Sequence, residues 1–213
     1  MTIGVISFQG DFQRHIDRLA SVGATVEPVR TLPALGRVDA VVIPGGESTT
    51  IGMLLDRFGM LTALRDRIRD GLPVFATCAG TILLADDIAN STQPRIGGLD
   101  ITVRRNAYGR QVDSFEADLA VSPEWSDLGL RDCDSSEATD VDLPVRGVFI
   151  RAPMIVRTGE SVRVLMSFEG HPVLVQAGAI LAATFHPEMT TDLRIHRYFR
   201  DVVAAGQTVR SAL

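Results

Sequence analysis

Pro73-Val74-Phe75-Ala76-Thr77-Cys78-Ala79-Gly80 is the most informative stretch of this sequence. Its apolar residues predict a short buried strand over 74–77, and a helical pattern runs over 81–88. A thiol on a sharp turn between a strand and a helix is lifted out of the sheet, and small residues after it suit the crowded backbone. The start of a helix also favours a thiolate. Cys78 is therefore a candidate nucleophile, although a free cysteine is often only a small buried hydrophobe.

Strand and helix patterns alternate along most of the chain. The predicted strands of this kind are 2–8, 24–29, 38–43, 74–77 and 180–185, and the predicted helices are 12–22, 53–58, 61–68, 81–88 and 193–205, with Asp11 as a candidate N-cap. This alternation predicts parallel strands joined by right-handed crossovers. Strand patterns at 99–104, 114–121, 145–150, 162–168 and 173–176 lack helices between them, and predict an antiparallel addition to the sheet. The predicted class is α/β, with an open, mostly parallel sheet, helices on both faces and an antiparallel extension.

Length and composition indicate one globular domain over residues 1–213. The net charge of −5 favours neither nucleic acid nor an anionic membrane as a partner. Two cysteines do not make a disulfide framework, and no apolar stretch approaches 18 residues, so we expect a soluble protein of a reducing cytoplasm. We expect no metal and no cofactor. The acidic stretch 122–143 shows no regular pattern, and we expect a solvated, mobile loop there rather than a lid.

A second candidate group, His186-Pro187-Glu188, ends the buried strand pattern at 180–185. Pro187 disfavours helical geometry at His186, and in an extended chain residues i and i+2 face the same way. His186 and Glu188 can therefore point toward one site, where a carboxylate would orient an imidazole base. The alternative is a strand-end histidine paired with a surface glutamate. The other histidines, His15, His171 and His196, are expected to be surface or structural residues.

A glycine turn, Pro44-Gly45-Gly46-Glu47-Ser48-Thr49-Thr50, follows the third predicted strand. Adjacent glycines let backbone N–H groups approach a ligand closely, and such donors can hold a developing oxyanion. The turn lacks the spacing and the lysine of a phosphate-binding loop. A simple tight turn between strand and helix remains the alternative.

Together these motifs resemble those of the class I, triad-type glutamine amidotransferases, a flavodoxin-like family, and within it the glutaminase subunits of pyridoxal 5′-phosphate synthase. The matching stretches are Ser7-Phe8-Gln9-Gly10 with His15, and residues 44–50, 77–80, 104–115, 149–153 and 185–188. Cys-Ala-Gly and His-Pro-Glu mark the wider superfamily. The Gly-Gly-Glu-Ser-Thr-Thr turn and the Arg-Asn-x-x-Gly-Arg-Gln-x-Asp-Ser-Phe segment are more specific.

The resemblance implies hydrolysis of L-glutamine to L-glutamate and ammonia through a thioester. Cys78 would attack the side-chain amide, His186 would transfer protons, and Glu188 would hold the imidazole ring. It also implies an oxyanion hole at Gly46 and Ala79, a glutamine pocket lined by Gly46, Glu47, Ser48, Arg105, Ile150 and Arg151, and partner contacts at Gln9 and Gly10. The implied partner is a barrel-shaped synthase subunit that receives the ammonia through a tunnel, and the glutaminase alone is expected to be poorly active.

Three other functions are considered. A subunit of another amidotransferase, such as one serving histidine or anthranilate synthesis, is disfavoured by the Arg-Asn-x-x-Gly-Arg segment. A noncatalytic regulatory module is disfavoured by the complete cysteine, histidine and glutamate set. A thiol peptidase on a related fold would leave the Gly-Gly-Glu-Ser-Thr-Thr turn unexplained.

Overall fold

The computed structural model of the chain describes residues 1–107, 114–127 and 144–206. The strands of the described part are β1 (Thr2–Ile6), β2 (Thr25–Val29), β3 (Ala40–Ile43), β4 (Val74–Thr77), β5 (Ala85–Ile88), β6 (Leu99–Arg104), β7 (Phe115–Val121), β8 (Val145–Phe149), β9 (Met154–Thr158), β10 (Arg163–Phe168), β11 (His171–Ala177) and β12 (Ile180–Ala183). Most of them form one sheet in the order β2-β1-β3-β4-β12-β11-β10-β7-β8.

The helices of the described part are α1 (Phe12–Ser21), α2 (Leu32–Arg37), α3 (Ser48–Arg57), α4 (Met60–Arg69), α5 (Ala79–Leu84), α6 (Pro123–Asp127) and α7 (Arg194–Tyr198). A 3₁₀ turn covers Pro187–Met189, and a π-helical segment, Phe199–Val203, continues α7. Among these described helices, none is long and apolar enough to cross a membrane.

The predicted α/β class, a mostly parallel sheet with an antiparallel extension, is confirmed. Strands β2, β1, β3, β4 and β12 pair in parallel, and β11, β10, β7 and β8 extend the sheet in antiparallel fashion. Neighbouring residues of β3 and β4 belong to different apolar cores, one on each face of the sheet. Burial on both faces explains why these strands are continuous apolar runs rather than alternating ones.

A second, smaller sheet departs from the predicted antiparallel addition. It has the order β5-β6-β9, so the strand predicted at 99–104 lies outside the main sheet. The helix predicted at 81–88 is wrong beyond Leu84, because the chain there turns into β5, which pairs in parallel with β6. Strand β9, which pairs with the other edge of β6, was not predicted. These pairings join residues distant in sequence, so the local pattern does not reveal them.

Several helix boundaries also differ from the prediction. Helix α2 was not predicted, although Thr31 caps it by accepting the Ala34 N–H at 3.3 Å. Helix α3 begins at Ser48 rather than at residue 53, because the Glu47 side chain caps it. The predicted N-cap Asp11 stands at the start of α1 but makes no capping hydrogen bond, and its carboxylate pairs with Arg14 at 2.8 Å instead.

The acidic stretch 122–143 begins with regular structure, contrary to the expectation. Residues Pro123–Asp127 form α6, and Trp125 on this helix is buried. Its indole packs edge-on against Tyr198 at 5.3 Å between ring centroids. This buried aromatic contact outweighs the polar composition around it. Residues 128–143, where the mobile loop was predicted, lie outside the described residues, as does Cys133.

Gly80 is required by the close approach of α5 to the end of β3. A Cβ atom at this position would lie 2.1 Å from the carbonyl oxygen of Ile43, which is backbone and cannot rotate away. The small residue after the turn therefore lets α5 start directly above the sheet.

We expect Gly80→Ala to destabilise the fold by about 3 kcal/mol, because backbone must move to admit the methyl group. The matched control is Gly36→Ala in α2, where a Cβ would meet nothing within 4 Å. Replacing a helical glycine of that kind with alanine raises the free energy of unfolding by about 0.5–1 kcal/mol. Urea unfolding of both variants measures the difference, and equal stabilities would contradict the close approach.

Candidate active site

Cys78 occupies a strained turn between β4 and α5. Its backbone has φ +47° and ψ −104°, a left-handed conformation that costs a non-glycine residue about 1–3 kcal/mol. The Cys78 N–H donates to the carbonyl of Ala183 at 2.9 Å, which anchors the turn to β12. The side chain is 6 % exposed and faces a cleft at this edge of the sheet. The predicted strand–turn–helix setting is therefore present, and the strain resides at the thiol.

His186 reaches the same cleft from the neighbouring strand. It follows β12, which pairs in parallel with β4 so that Ala183 lies opposite Thr77. The two strands end at the same edge, and both side chains line one cavity of about 240 Å³. Cys78 is close enough to His186 to raise the pKa of the imidazole. The structure thus brings together a thiol and an imidazole that stand more than 100 positions apart in sequence.

Glu188 completes the group through a 3₁₀ turn rather than through the extended chain that the sequence predicted. His186 Nδ1 lies 2.7 Å from Glu188 Oε1, and Glu188 is fully buried. The His186 backbone is extended as expected before proline, with φ −111° and ψ 84°. The turn over Pro187–Met189 then folds the carboxylate back onto the ring.

The side chains of Cys78, His186 and Glu188 influence one another's protonation. Burial alone lowers the pKa of His186, but hydrogen bonds and charge from Cys78 and Glu188 raise that pKa to about 10. Burial likewise raises the pKa of Glu188, yet His15 and His186 more than reverse this and hold the pKa well below its usual range. The resting site therefore holds an imidazolium beside an ionised carboxylate at neutral pH.

The glycine turn lies directly against this pair. A Cβ atom at Gly45 would lie 2.4 Å from Cε1 of His186, so the imidazole can stack on the turn only because a glycine is there. The Gly45 N–H donates to the Thr77 hydroxyl at 3.1 Å and does not face the cleft. Gly46 and Ala79, the two residues expected to form an oxyanion hole, both line the cleft.

The expected glutamine-pocket residues also share this cavity. Its wall includes all six of them, namely Gly46, Glu47, Ser48, Arg105, Ile150 and Arg151. The cavity is smaller than the roughly 300–1,000 Å³ of sites for drug-sized ligands, and suits a molecule of amino-acid size.

Arg105 is held in place by polar side chains of the α3 start. Its guanidinium donates to Glu47 at 3.2 Å, to Thr49 at 3.2 Å and to Gln93 at 2.7 Å. Gln93 is a buried residue that sequence reasoning missed, and no motif marked it. Burial raises the pKa of Glu47, but hydrogen bonds from Thr50 and Thr49 outweigh it and the pKa is lowered. A fixed cation and a fixed anion therefore stand side by side in the pocket.

Gln9 and Gly10, the expected partner-contact residues, pack on the outer side of the glycine turn. Gln9 Oε1 accepts the Glu47 N–H at 2.8 Å. A Cβ at Gly10 would lie 1.8 Å from the Gly45 carbonyl oxygen, so the two backbones touch. Gly10 is exposed, and Gln9 is half-buried. This segment therefore connects the protein surface with the turn that lines the cleft.

The remaining histidines were expected to be surface or structural residues, and His15 is of the buried kind. It is fully buried on α1, and its Nε2 lies 3.2 Å from Glu188 Oε2. His196 is also fully buried, whereas His171 is half-buried. His15 lies four positions before the buried Leu19, and this helical spacing was the signal that could have placed it on the inner face of α1.

Comparisons with known proteins agree on one family. A family model described as the SNO glutamine amidotransferase family matches residues 5–205. The chain is 50 % identical over 206 residues to the pyridoxal 5′-phosphate synthase subunit PdxT of Carboxydothermus hydrogenoformans, covering 97 % of this chain and 100 % of that protein. It is 48 % identical to the PdxT subunit of Thermotoga neapolitana, with 95 % and 100 % covered. A crystal structure described as a glutamine amidotransferase superposes with a TM-score of 0.82 at 44 % identity, covering 95 % of this chain and 98 % of that one.

We expect the His186 ring to titrate near pH 10 in the intact protein, because Cys78 and Glu188 stabilise its charged form. Its unfolded-state pKa is near 6.5, so this group stabilises the fold fully below pH 6.5 and loses that contribution as the pH rises through about 10. Ring-proton NMR against pH measures the titration, with His186→Gln to assign the signal. Glu188→Gln should move the midpoint down toward 6.5, and a wild-type midpoint already near 6.5 would contradict the charged pair.

Proposed function

Because the chain belongs to the SNO glutamine amidotransferase family, we propose that it hydrolyses L-glutamine to L-glutamate and ammonia as a subunit of pyridoxal 5′-phosphate synthase. The observation that carries the proposal is the cleft itself, where a thiol on a strained turn meets an imidazole held by a buried carboxylate. Two relatives that match over nearly the whole chain bear the name of that synthase subunit. The alternatives are a subunit of another amidotransferase and a noncatalytic module, and assays of ammonia release and of pyridoxal 5′-phosphate formation distinguish them.

In the first half of the reaction, the sulfur of Cys78 attacks the side-chain amide carbon of glutamine as a thiolate, its proton being the one that His186 carries as an imidazolium. The carbonyl oxygen becomes an oxyanion, which the N–H groups of Gly46 and Ala79 receive. The charged His186 then gives its proton to the leaving nitrogen as the C–N bond breaks, which leaves a thioester on Cys78 and releases ammonia. An imidazolium in the resting site suits this first step, since it acts as an acid.

In the second half, the neutral His186 accepts a proton from water as the water oxygen attacks the thioester. The C–S bond breaks, glutamate leaves, and the cysteine and histidine return to their starting state. Glu188 remains ionised throughout and stabilises the imidazolium each time it forms. The sum of both halves is glutamine plus water giving glutamate plus ammonia.

The pocket charges match the two ionic ends of a free amino acid. Arg105 offers a guanidinium to the α-carboxylate, a pairing that planar bidentate geometry favours. Glu47 lies 3.2 Å from the same guanidinium and offers an anion for the α-ammonium group. Ser48, Ile150 and Arg151 complete the walls of the cavity. Free glutamine, rather than a peptide, is therefore the substrate.

The synthase subunit docks over Gln9, Gly10 and the start of α1. These residues touch the glycine turn through the Glu47 N–H and the Gly45 carbonyl. A partner that displaces this segment therefore displaces the glycine turn directly. Docking in this way completes the oxyanion hole, and the ammonia then passes to the synthase. The protein works in the cytoplasm, where reducing conditions keep the Cys78 thiol free.

We expect Cys78→Ala to abolish both ammonia release from glutamine and labelling by a glutamine-like alkylating agent, because the proposed thioester forms on the sulfur of Cys78. The matched control is Cys133→Ala, at the second cysteine of the sequence, which should keep wild-type turnover and labelling. Ammonia is measured by a coupled enzymatic assay and labelling by mass spectrometry. Full turnover in Cys78→Ala would remove the nucleophile.

We expect the synthase subunit to raise glutamine turnover by up to about 10²-fold, the usual worth of one oxyanion donor. Pyridoxal 5′-phosphate formation from glutamine, a pentose phosphate and a triose phosphate should require both subunits and an intact Cys78. Gln9→Ala should reduce the fold-stimulation of turnover by the synthase subunit. No stimulation at saturating partner would contradict the docking model, and ammonia release without any pyridoxal 5′-phosphate would favour another synthase.

A further inference from the structure

Glu188 has a second carboxylate oxygen that the three-residue mechanism leaves unexplained. Oε1 holds His186, whereas Oε2 is buried and makes no well-aligned hydrogen bond among the described residues. A buried carboxylate oxygen without a donor is costly, because it has lost its water and gained nothing. The group that approaches this oxygen is His15, with Nε2 at 3.2 Å.

His15 is itself fixed on its other side. Its Nδ1 lies 3.3 Å from Nε2 of His196 on α7, and its ring packs edge-on against Phe75 at 5.8 Å between centroids. Burial, with further effects from His15, lowers the pKa of His196 to about 3, so His196 is neutral at physiological pH. The imidazole of His15 therefore has no freedom to turn away from Glu188.

The same nitrogen of His15 also lies near the glycine turn. Its Nε2 is 3.1 Å from the Thr77 hydroxyl oxygen, which accepts the Gly45 N–H at 3.1 Å. Because an ionised carboxylate only accepts hydrogen bonds, Nε2 must carry a proton when it faces Glu188. One N–H group thus stands between the carboxylate of the triad and the hydroxyl that supports the glycine turn.

We propose that His15 is a positioning residue of the hydrolytic site, whose Nε2–H holds the second oxygen of Glu188 and, through Thr77, aligns the triad with the glycine turn. The importance of His15 for catalysis rests on the proposed function, but the contacts of His15 with Glu188 and Thr77 do not depend on the substrate. Helix α1 supports the same residue twice, since Arg18 Nε donates to the Glu188 carbonyl at 3.3 Å. His15 does not line the cleft and acts through Glu188 and Thr77.

The charged and titratable groups around this contact come from four elements. They are Arg18 and His15 on α1, Cys78 at the turn after β4, His186 and Glu188 around the 3₁₀ turn, and His196 on α7. Loss of the His15 donor weakens the ionised form of Glu188. A Glu188 that is less readily ionised stabilises the His186 imidazolium less, and the sulfur of Cys78 then has a weaker charged partner.

The test compares two amides at position 15. Glutamine places an N–H donor near the position of Nε2, whereas asparagine reaches only the position of Nδ1 and keeps the contact with His196. We expect His15→Asn to lower the NMR midpoint of His186 by about one unit and to raise the midpoint for Cys78 alkylation by iodoacetamide similarly, a tenfold change in each equilibrium. His15→Gln should stay near wild type in both measurements.

His196→Leu is the matched control for loss of a buried imidazole. It removes a fully buried ring that touches His15 but not Glu188, and we expect a smaller change in both midpoints. Glutamine kcat should fall in His15→Asn with KM nearly unchanged, and His15→Gln should restore it. Circular dichroism and thermal unfolding identify any variant that does not fold.

Two results would overturn the inference. One is a folded His15→Asn protein with wild-type midpoints for His186 and Cys78. The other is an equal change in His15→Gln, His15→Asn and His196→Leu, which would mean that packing alone is responsible. Alkylation by iodoacetamide needs no glutamine, so a wild-type protein that fails to hydrolyse glutamine would refute the proposed function while leaving this comparison intact.

Discussion

The parallel pairing of β4 with β12 is the constraint on which the site depends. Parallel neighbours end at the same edge of a sheet, and the register that sets Ala183 opposite Thr77 brings the segments that follow both strands, including Cys78 one residue later and His186 three residues later, to that edge. Cys78 follows one strand and His186 the other. Their contact is therefore a consequence of sheet geometry, and it holds only while the apolar cores on both faces keep the two strands in register.

Close backbone packing around that edge determines which residues the site can contain. A Cβ atom added at three of the glycines would lie 2.4 Å or less from a ring atom of His186 or from a backbone carbonyl oxygen. These glycines are Gly45, Gly10 and Gly80. The left-handed turn at Cys78 is tolerated because its N–H is bound to β12 and α5 begins at once. This edge of the cleft is thus built largely from closely packed backbone.

Buried charge is the second unifying feature, since Glu188 and His186 are both almost inaccessible to water. Each is acceptable there only because its partners offset the loss of hydration. The pKa of Glu188 is lowered and that of His186 is raised, in both cases against the direction that burial favours. His15 belongs to this balance, because its Nε2 lies 3.2 Å from the buried carboxylate of Glu188 and helps to lower the pKa of that group.

Local patterns in the sequence determined the parallel strands, the turn at Cys78, the glycine turn and the pairing of His186 with Glu188. Each is carried by neighbours in sequence, and apolar runs, glycines and a proline are sufficient to mark them. Tertiary structure alone decided that residues 85–88 leave a helical pattern for a strand beside β6, and that Trp125 holds a helix in an acidic stretch. It also decided that His15 meets Glu188 and that Gln93 supports Arg105, because these contacts join side chains from segments that only the packed sheets and helices bring together.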